Sequence, residues 1–263
     1  MTTATLPLRR RLARAPHTWV YAVAGMAALA VLVHHLAPGG GGVHHGHHHQ
    51  DVMAAMDSMP GVATAGPSLW EAWLWWTVMV AAMMLPIAAR SAGRVARAGL
   101  WHRRHVAMVE YLSGYVAMWS LAGIAAVGLV AVVWPEGAPA FAAAVVLLTA
   151  AGWQVTPVRR RALRRCRGAG FVNVAGWRSD RDCVAVGCAD GRRCLFTCGP
   201  AMAVMALSHS LILMVALTVL LCSERSTGPN PAQRAGRPLE AWGLAGLAVV
   251  SGAWALYGAS HLP

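Results

Sequence analysis

Six apolar stretches run through this chain, each close to the length a helix needs to cross a bilayer, and that pattern leaves few folds open. A hydrocarbon core about 30 Å thick takes about 20 helical residues at about 1.5 Å each. The stretches are approximately Trp19 to Leu36, Leu69 to Ala89, Val106 to Val133, Ala138 to Val155, Leu195 to Cys222 and Ala241 to Tyr257. The third and fifth exceed the requirement, which implies tilt or an end in the interface. Lipid offers no partners to a backbone amide, so the expected fold class is all-α, a polytopic transmembrane helix bundle of about six spans. Composition agrees: 57% of the 263 residues are hydrophobic and 12% charged, far from the balance of a soluble domain.

Charge then sets orientation. All 22 basic residues are arginines, giving a net charge of +12. Arg9, Arg10, Arg11 and Arg14 precede the first span, Arg90 to Arg104 follow the second, and Arg159 to Arg193 separate the fourth from the fifth. Under the positive-inside rule both termini and these two connections are cytoplasmic, leaving 19 of the 22 arginines inside. Arg225, Arg234 and Arg237 are the exceptions, in the expected outer loop before the last span. In a soluble protein such basicity would point to nucleic acid; here it flanks apolar runs, and nucleic acid is not an expected partner. The resulting division is a basic cytoplasmic N-terminus (1–18), the first span (19–36), an outer loop (37–68), a four-helix core (69–222) with a basic, Cys-containing cytoplasmic loop at 156–193, and an outer loop with the last span (223–263). The first span also follows an arginine cluster as a secretory signal would, but its apolar core is long for one and Leu36-Ala37-Pro38 is a poor cleavage site.

The outer loop holds the most conspicuous chemistry. From His34 to Pro60 it carries seven of the twelve histidines, with His44, His45, His47, His48 and His49 clustered and Met53, Met56 and Met59 following at a three-residue spacing. Imidazoles suit Cu(II), Zn(II) and Ni(II), whereas thioethers are soft donors that select Cu(I). A segment offering both suits copper in either oxidation state, with zinc, or no physiological metal, as the alternatives. A His-rich tract can also be a solvated linker, and the Met triplet can be the apolar face of a short interfacial helix. Gly39 to Gly42 supply a flexible stretch.

Beneath that loop, the second stretch begins with Trp70, Trp73, Trp75 and Trp76, an expected aromatic belt, followed by Met79, Met83 and Met84, with Pro86 placed to kink or end the helix. Met79 and Met83 lie one turn apart, suiting either bundle packing or a buried thioether site. Trp75-Trp76-x-x-Met79-x-x-x-Met83-Met84-Leu-Pro86 resembles the signature of the DUF2182 family, bacterial integral membrane proteins described as predicted metal-binding. Gly114-Tyr115-x-x-x-Trp119 resembles a later helix of that family. Ala151-Gly152-Trp153-Gln154-x-Thr156-Pro157-x-Arg159, continuing to Cys166-Arg167, resembles its next segment, and Cys194-x-x-x-Cys198-x-x-x-Met202-x-x-Met205 its cysteine-rich helix. The resemblance covers Trp70 to Leu221 in order and leaves the His-rich loop outside. It implies a bacterial inner-membrane protein that binds metal within its helices. One departure matters: the family's C-x-x-C-C run is reduced here to Cys194 and Cys198, with Phe196-Thr197 between them and Gly199-Pro200 after.

Cys194 and Cys198 stand one turn apart and can ligate a soft metal together. His209 falls four residues past Met205, giving a possible set of Cys198, Met202, Met205 and His209; a structural hydrogen bond is the competing role for a histidine at such depth. Cys166, Cys183 and Cys188 read as reduced thiols of the cytoplasmic loop, and their spacing matches no zinc pattern. His102 and His105 read as headgroup contacts. No phosphate-cradling loop, catalytic triad or carboxylate pair is present. The expected function is copper handling: capture by the outer loop, then holding or transfer through Met79, Met83, Met84, Cys194, Cys198, Met202, Met205 and His209. The expected partners are the bilayer, the metal ion, and a periplasmic or cytoplasmic metal carrier or a metalloenzyme. A membrane subunit of a metal-dependent oxidase or oxygenase, and a scaffold without physiological metal, remain alternatives.

Overall fold

The computed structural model describes residues 18–36, 68–135, 139–165, 173, 176–207, 211–226, 243 and 245–246. They form seven α-helices and one short 3-10 turn, with no strand among them. The helices are α1 (Thr18–Leu36), α2 (Leu69–Ala98), α3 (Arg104–Val133, entered through the turn Trp101–Arg103), α4 (Ala140–Val155), α5 (Pro157–Arg165), α6 (Trp177–Leu207) and α7 (Leu211–Ser226). By length and composition α1, α2 and the run Trp101–Val133 are each long and apolar enough to cross a membrane, while Phe141–Val155 and Leu211–Cys222 are apolar but shorter. Of the sixth expected span, Ala241 to Tyr257, only Gly243, Ala245 and Gly246 are described, all three helical, and the outer loop up to residue 67 lies outside the described residues.

Local chemistry accounts for the helix boundaries. Ser68 caps α2, its hydroxyl accepting the Glu71 N–H at 3.3 Å, with Glu71 itself in the first turn. Thr156 closes α4 and, with its Oγ1 accepting the Arg159 N–H at 3.3 Å, opens α5, while Pro157 takes the first helical position, where its missing N–H costs nothing. Gly176 enters α6 at φ 77°, in the left-handed region that favours glycine.

The stretch Leu195 to Cys222 is helical in the end of α6 and in α7, with residues 208–210 between them outside the described set, and one expectation changes here. Much of the segment read as a loop at 156–193 is helical: α5, and the first half of α6. The charges of that half hide a continuous face of small residues, Ser179, Cys183, Gly187 and Gly191, all buried. Small residues four apart let two helix backbones approach, a signal that hydropathy does not register.

That face makes the most extensive contact in the bundle, α6 lying parallel to α3. Added carbons at Gly187 and Gly114 would collide with the backbone oxygens of Tyr111 and Val184, and one at Gly191 would sit 3.0 Å from the Tyr115 oxygen. Helix α2 runs antiparallel to α3 along its other side. There Trp76 Nε1 donates to the Trp119 carbonyl and Trp73 Nε1 to the Ser120 carbonyl, each at 3.1 Å, and Gly123 leaves the space that the Trp76 ring fills. The expected aromatic belt is thereby split. Trp70 is exposed, Trp76 is buried, and Trp75 stacks on His34 of α1 with ring centroids 4.0 Å apart. Large apolar side chains face outward instead, with Val132 80% and Ile212 81% exposed.

Candidate metal centre

The α2–α3 and α3–α6 pairings set the depth of the buried sulfur-bearing residues on α2 and α6. On α3, Tyr111, Tyr115 and Trp119 form a column at four-residue spacing, all buried. Tyr115 Oη donates to Cys194 Sγ at 3.1 Å, and one turn nearer the charged end Tyr111 Oη donates to Asp190 Oδ2 at 3.0 Å. Cys194 therefore lies level with the Tyr115 hydroxyl, and Cys198, Met202 and Met205 continue along α6 above it, each buried. On the opposite side, counting from the contact between Trp76 and Trp119, Met79, Met83 and Met84 lie about 5, 11 and 12 Å further along α2. Tyr115 lies about 6 Å along α3 from Trp119, so the three thioethers bracket its depth. The two rows of soft donors come to the same depth at Met79 and Cys194 and diverge from there, since α2 is antiparallel and α6 parallel to α3, and all seven belong to the same core cluster.

Both donor-bearing helices contain a proline, and α6 shows what the interruption does. Pro200 has no N–H to give the Phe196 carbonyl one turn earlier, and the Thr197 carbonyl is its neighbour on the helix. Both carbonyls receive side-chain donors from the α4–α5 corner. Trp153 Nε1 donates to the Phe196 oxygen at 3.1 Å, its ring edge-on to Phe196 with centroids 5.1 Å apart, and Arg159 Nε donates to the Thr197 oxygen at 2.9 Å. The Trp153-to-Arg159 segment is accordingly a clamp on α6 at its proline interruption, with the Thr156-Pro157 corner swinging Arg159 inward until it is 2% exposed. Thr197 Oγ1 bonds back to the Arg193 and Cys194 carbonyls at 3.0 and 3.1 Å and lies 3.6 Å from Cys198 Sγ. In α2, Pro86 likewise withholds the bond to the Ala82 carbonyl, just after Met83 and Met84.

The charged end of the α3–α6 pair is built differently. Arg103 pairs with Glu110 at 3.3 Å and with Asp180. Cys183, expected in a loop, is buried on α6 beside them. Burial, with the Glu110 carboxylate as the second cause, pushes its thiol up to about 11. A proton held that firmly makes Cys183 a packing residue.

Of the candidates read from the sequence, Met79, Met83, Met84, Cys194, Cys198, Met202 and Met205 are buried in one core cluster. His44, His45, His47, His48, His49, Met53, Met56, Met59 and His209 lie outside the described residues. Tyr115, Trp153 and Arg159 stood in the family-like motifs without a role of their own, and Met108 and Met214, buried methionines of α3 and α7, were not singled out in the sequence. Among the described residues no three His, Cys, Asp or Glu side chains converge into a site. A cation held in this core therefore takes part of its shell from methionine, and a set of two thiols with thioethers fits Cu(I) far better than a hard cation.

A family model described as "PpoB2: Copper chaperone" matches residues 73–245, overlapping the stretch on which the DUF2182 resemblance rests. No curated protein and no solved structure matches the chain.

Proposed function

Because the chain belongs to the PpoB2 copper-chaperone family, which ties it to copper handling in general, we propose that it is an integral membrane protein that holds Cu(I) between α2 and α6. The observation that carries this reading is the burial of seven soft donors, Met79, Met83, Met84, Cys194, Cys198, Met202 and Met205, in one core cluster, with Met79 and Cys194 at about the same depth. A ladder of donors about a turn apart suits a cargo that is held and passed on, since each step exchanges one thioether or thiolate for another. The outward display of large apolar side chains, with small residues packed inside, supports a lipid environment, where close backbone approach and not apolar burial holds helices together. The reading assigns the chain to the bacterial inner membrane, with six spans and both termini in the cytoplasm. The outer His and Met loop is its collector, and a periplasmic or cytoplasmic carrier or a copper enzyme receives the metal.

The test is Cu(I) binding by the purified full chain, measured by competition with a chromophoric Cu(I) chelator. Met83→Leu/Met84→Leu keeps the packed volume but removes two thioethers, and it is expected to weaken tight binding at least tenfold. Met53→Ala/Met56→Ala/Met59→Ala is expected to retain tight binding and to load more slowly. Undiminished binding in the core variant, with loss in the loop variant, would overturn the assignment of the site to the helices.

A further inference from the structure

We infer that the indole N–H of Trp119 is the hydrogen-bond donor to the Cys198 sulfur when that sulfur holds Cu(I), so that each thiol of the proposed site has its own aromatic donor on α3. The inference rests on the proposed function, with Cys194 and Cys198 as ligands, and goes beyond it to a residue that touches no metal. Trp119 is 0% exposed, and its Nε1 has no acceptor among the described residues. A buried N–H without an acceptor is costly, so a donor kept in that state points to an acceptor that comes with the ligand. Its own turn of α3 is held in place, since the Trp119 carbonyl receives the Trp76 indole at 3.1 Å.

The register of the two parallel helices names the sulfur. Tyr111 donates to Asp190 at 3.0 Å and Tyr115 to Cys194 at 3.1 Å, and the members of each pair are 79 residues apart. Because α3 and α6 run side by side, a step of four residues on one is matched by four on the other, about 6 Å along both. The next step sets Trp119 against Cys198, again 79 residues apart and both within the core cluster. One step further stand Gly123 and Met202, where α3 offers no side chain and the Trp76 ring of α2 fills the space. The donors of α3 thus stand at the levels of the two thiols and end where the thioethers begin. Acceptor strength accounts for the pattern, since a thioether accepts weakly and a metal-bound cysteine sulfur accepts well. Binding by Cys198 breaks its S–H bond, forms an S–Cu bond and releases one proton to solvent, with no electron transferred. Its sulfur then carries negative charge in an apolar core, and an indole N–H offsets part of that charge without competing for the metal, because it donates and cannot ligate. The Thr197 hydroxyl, 3.6 Å from Cys198 Sγ, directs its single proton to the Arg193 and Cys194 carbonyls and does not supply that donor.

The test pairs substitutions at Trp119 with substitutions at each cysteine in the purified full chain, reading Cu(I) affinity by competition with a chromophoric chelator. Trp119→Phe removes the N–H and part of the ring, and Trp119→Tyr removes a similar part but returns a donor, so the difference between them isolates the hydrogen bond. Trp119→Phe is expected to weaken Cu(I) binding about tenfold, and Trp119→Tyr to stay within about threefold of wild type. In a Cys198→Met background the Trp119→Phe loss should shrink to within about twofold, whereas in a Cys194→Met background it should remain about tenfold. A readout independent of affinity is the indole N–H resonance of Trp119, one of twelve tryptophans, identified by its loss in either variant. Cu(I) should move it downfield in wild type and in Cys194→Met, and leave it in place in Cys198→Met. Equal losses from phenylalanine and tyrosine, equal losses in the two methionine backgrounds, or an indole resonance that Cu(I) does not move would overturn the inference. If neither Trp119 variant folds, the wild-type and cysteine-substituted chains still decide, because a Cu(I)-dependent indole shift must then persist in Cys194→Met and vanish in Cys198→Met. Cys194→Ser/Cys198→Ser, measured alongside, keeps the two readings apart. If that pair leaves wild-type Cu(I) affinity intact, the thiol site itself is wrong and the role of Trp119 falls with it. If it abolishes tight binding while Trp119→Phe changes nothing, only the role of Trp119 falls.

Discussion

Cys183 and Cys198 are the same residue type on the same helix, both fully buried, and the bundle gives them opposite surroundings. Cys183 sits in the small-residue half of α6, where α3 presses close and the nearest ionised group is the Glu110 carboxylate, which together with burial holds its proton on. Cys198 sits in the proline-interrupted half, beside the Thr197 hydroxyl and one peptide link from a buried guanidinium, with Cys194 and its Tyr115 donor one turn away. A thiol beside an anion serves packing, whereas Cys198, a proposed ligand, stands among other buried soft donors. The division of labour along α6 is therefore set by what faces each sulfur. The packing half holds the helix against α3, and the interrupted half exposes chemistry to the core.

The comparison breaks most completely if the packing half fails. Gly187→Leu drives a branched side chain into the Tyr111 backbone, where no flexible group can yield. It is expected to cost about 3 kcal/mol or more and to abolish monodisperse protein in detergent, read by size-exclusion profile and thermal melt. A variant as stable as wild type would show that α3 and α6 are not tightly apposed. Next in size is the ligand test. Cys194→Ser/Cys198→Ser is expected to lower Cu(I) affinity roughly hundredfold or more, against no change for Cys183→Ser, by chelator competition. Equal losses from the two substitutions would erase the distinction between the halves.

The proposed donor set rests on residue type and spacing, and the structure adds that its members are buried in one cluster. Soft side chains at Met79, Met83, Met84, Cys194, Cys198, Met202 and Met205 fall one turn apart on otherwise apolar helices, and no packing detail is needed to see them. The first half of α6 was not legible, since hydropathy counts its arginines and aspartates and misses the buried face of Cys183, Gly187 and Gly191. The partners of the donors were equally hidden. Trp153 lies 43 residues from Phe196, Arg159 lies 38 from Thr197, and Tyr115 lies 79 from Cys194, so only the fold brings them together. One clue was available: a proline at 200 inside a helix guarantees an unfilled carbonyl at 196, and an indole or guanidinium is what fills such a gap. The His-rich loop and His209 lie outside the described residues, and their part in the function stays with the proposal.

Smaller effects sharpen the comparison within the interrupted half. Trp153→Phe keeps the edge-on contact with Phe196 and removes the hydrogen bond to its carbonyl. It is expected to cost about 1 kcal/mol in thermal or denaturant unfolding, the usual worth of one such bond. Tyr115→Phe removes the Cys194 donor at similar cost, and in addition shifts Cu(I) affinity by a few-fold, because a hydrogen bond to sulfur tunes the ligand. If Trp153→Phe shifts affinity as much as Tyr115→Phe, the two positions do not differ in role and the clamp reaches the metal directly.

The finest discrimination is between sulfurs in one sample. Thiolate is the form that alkylates, and a thiol pushed up to about 11 is almost wholly protonated at pH 8. The direction of the linkage follows: the fold favours the neutral thiol of Cys183, an advantage present below its unfolded-state value and lost as pH rises through the folded one. In the full chain, iodoacetamide at pH 8 should leave Cys183 unmodified with or without Cu(I), and modification should begin only as pH approaches 11, read on the alkylated peptide by mass spectrometry. Cys194 and Cys198 should instead react at a rate that Cu(I) suppresses, because the metal occupies the lone pairs the reagent needs. Glu110→Gln should bring Cys183 only part of the way down, since desolvation is the larger cause and the substitution leaves it in place. Copper protection of Cys183 equal to that of Cys198 would mean that both halves of α6 face the metal, and the comparison would fail at its first premise.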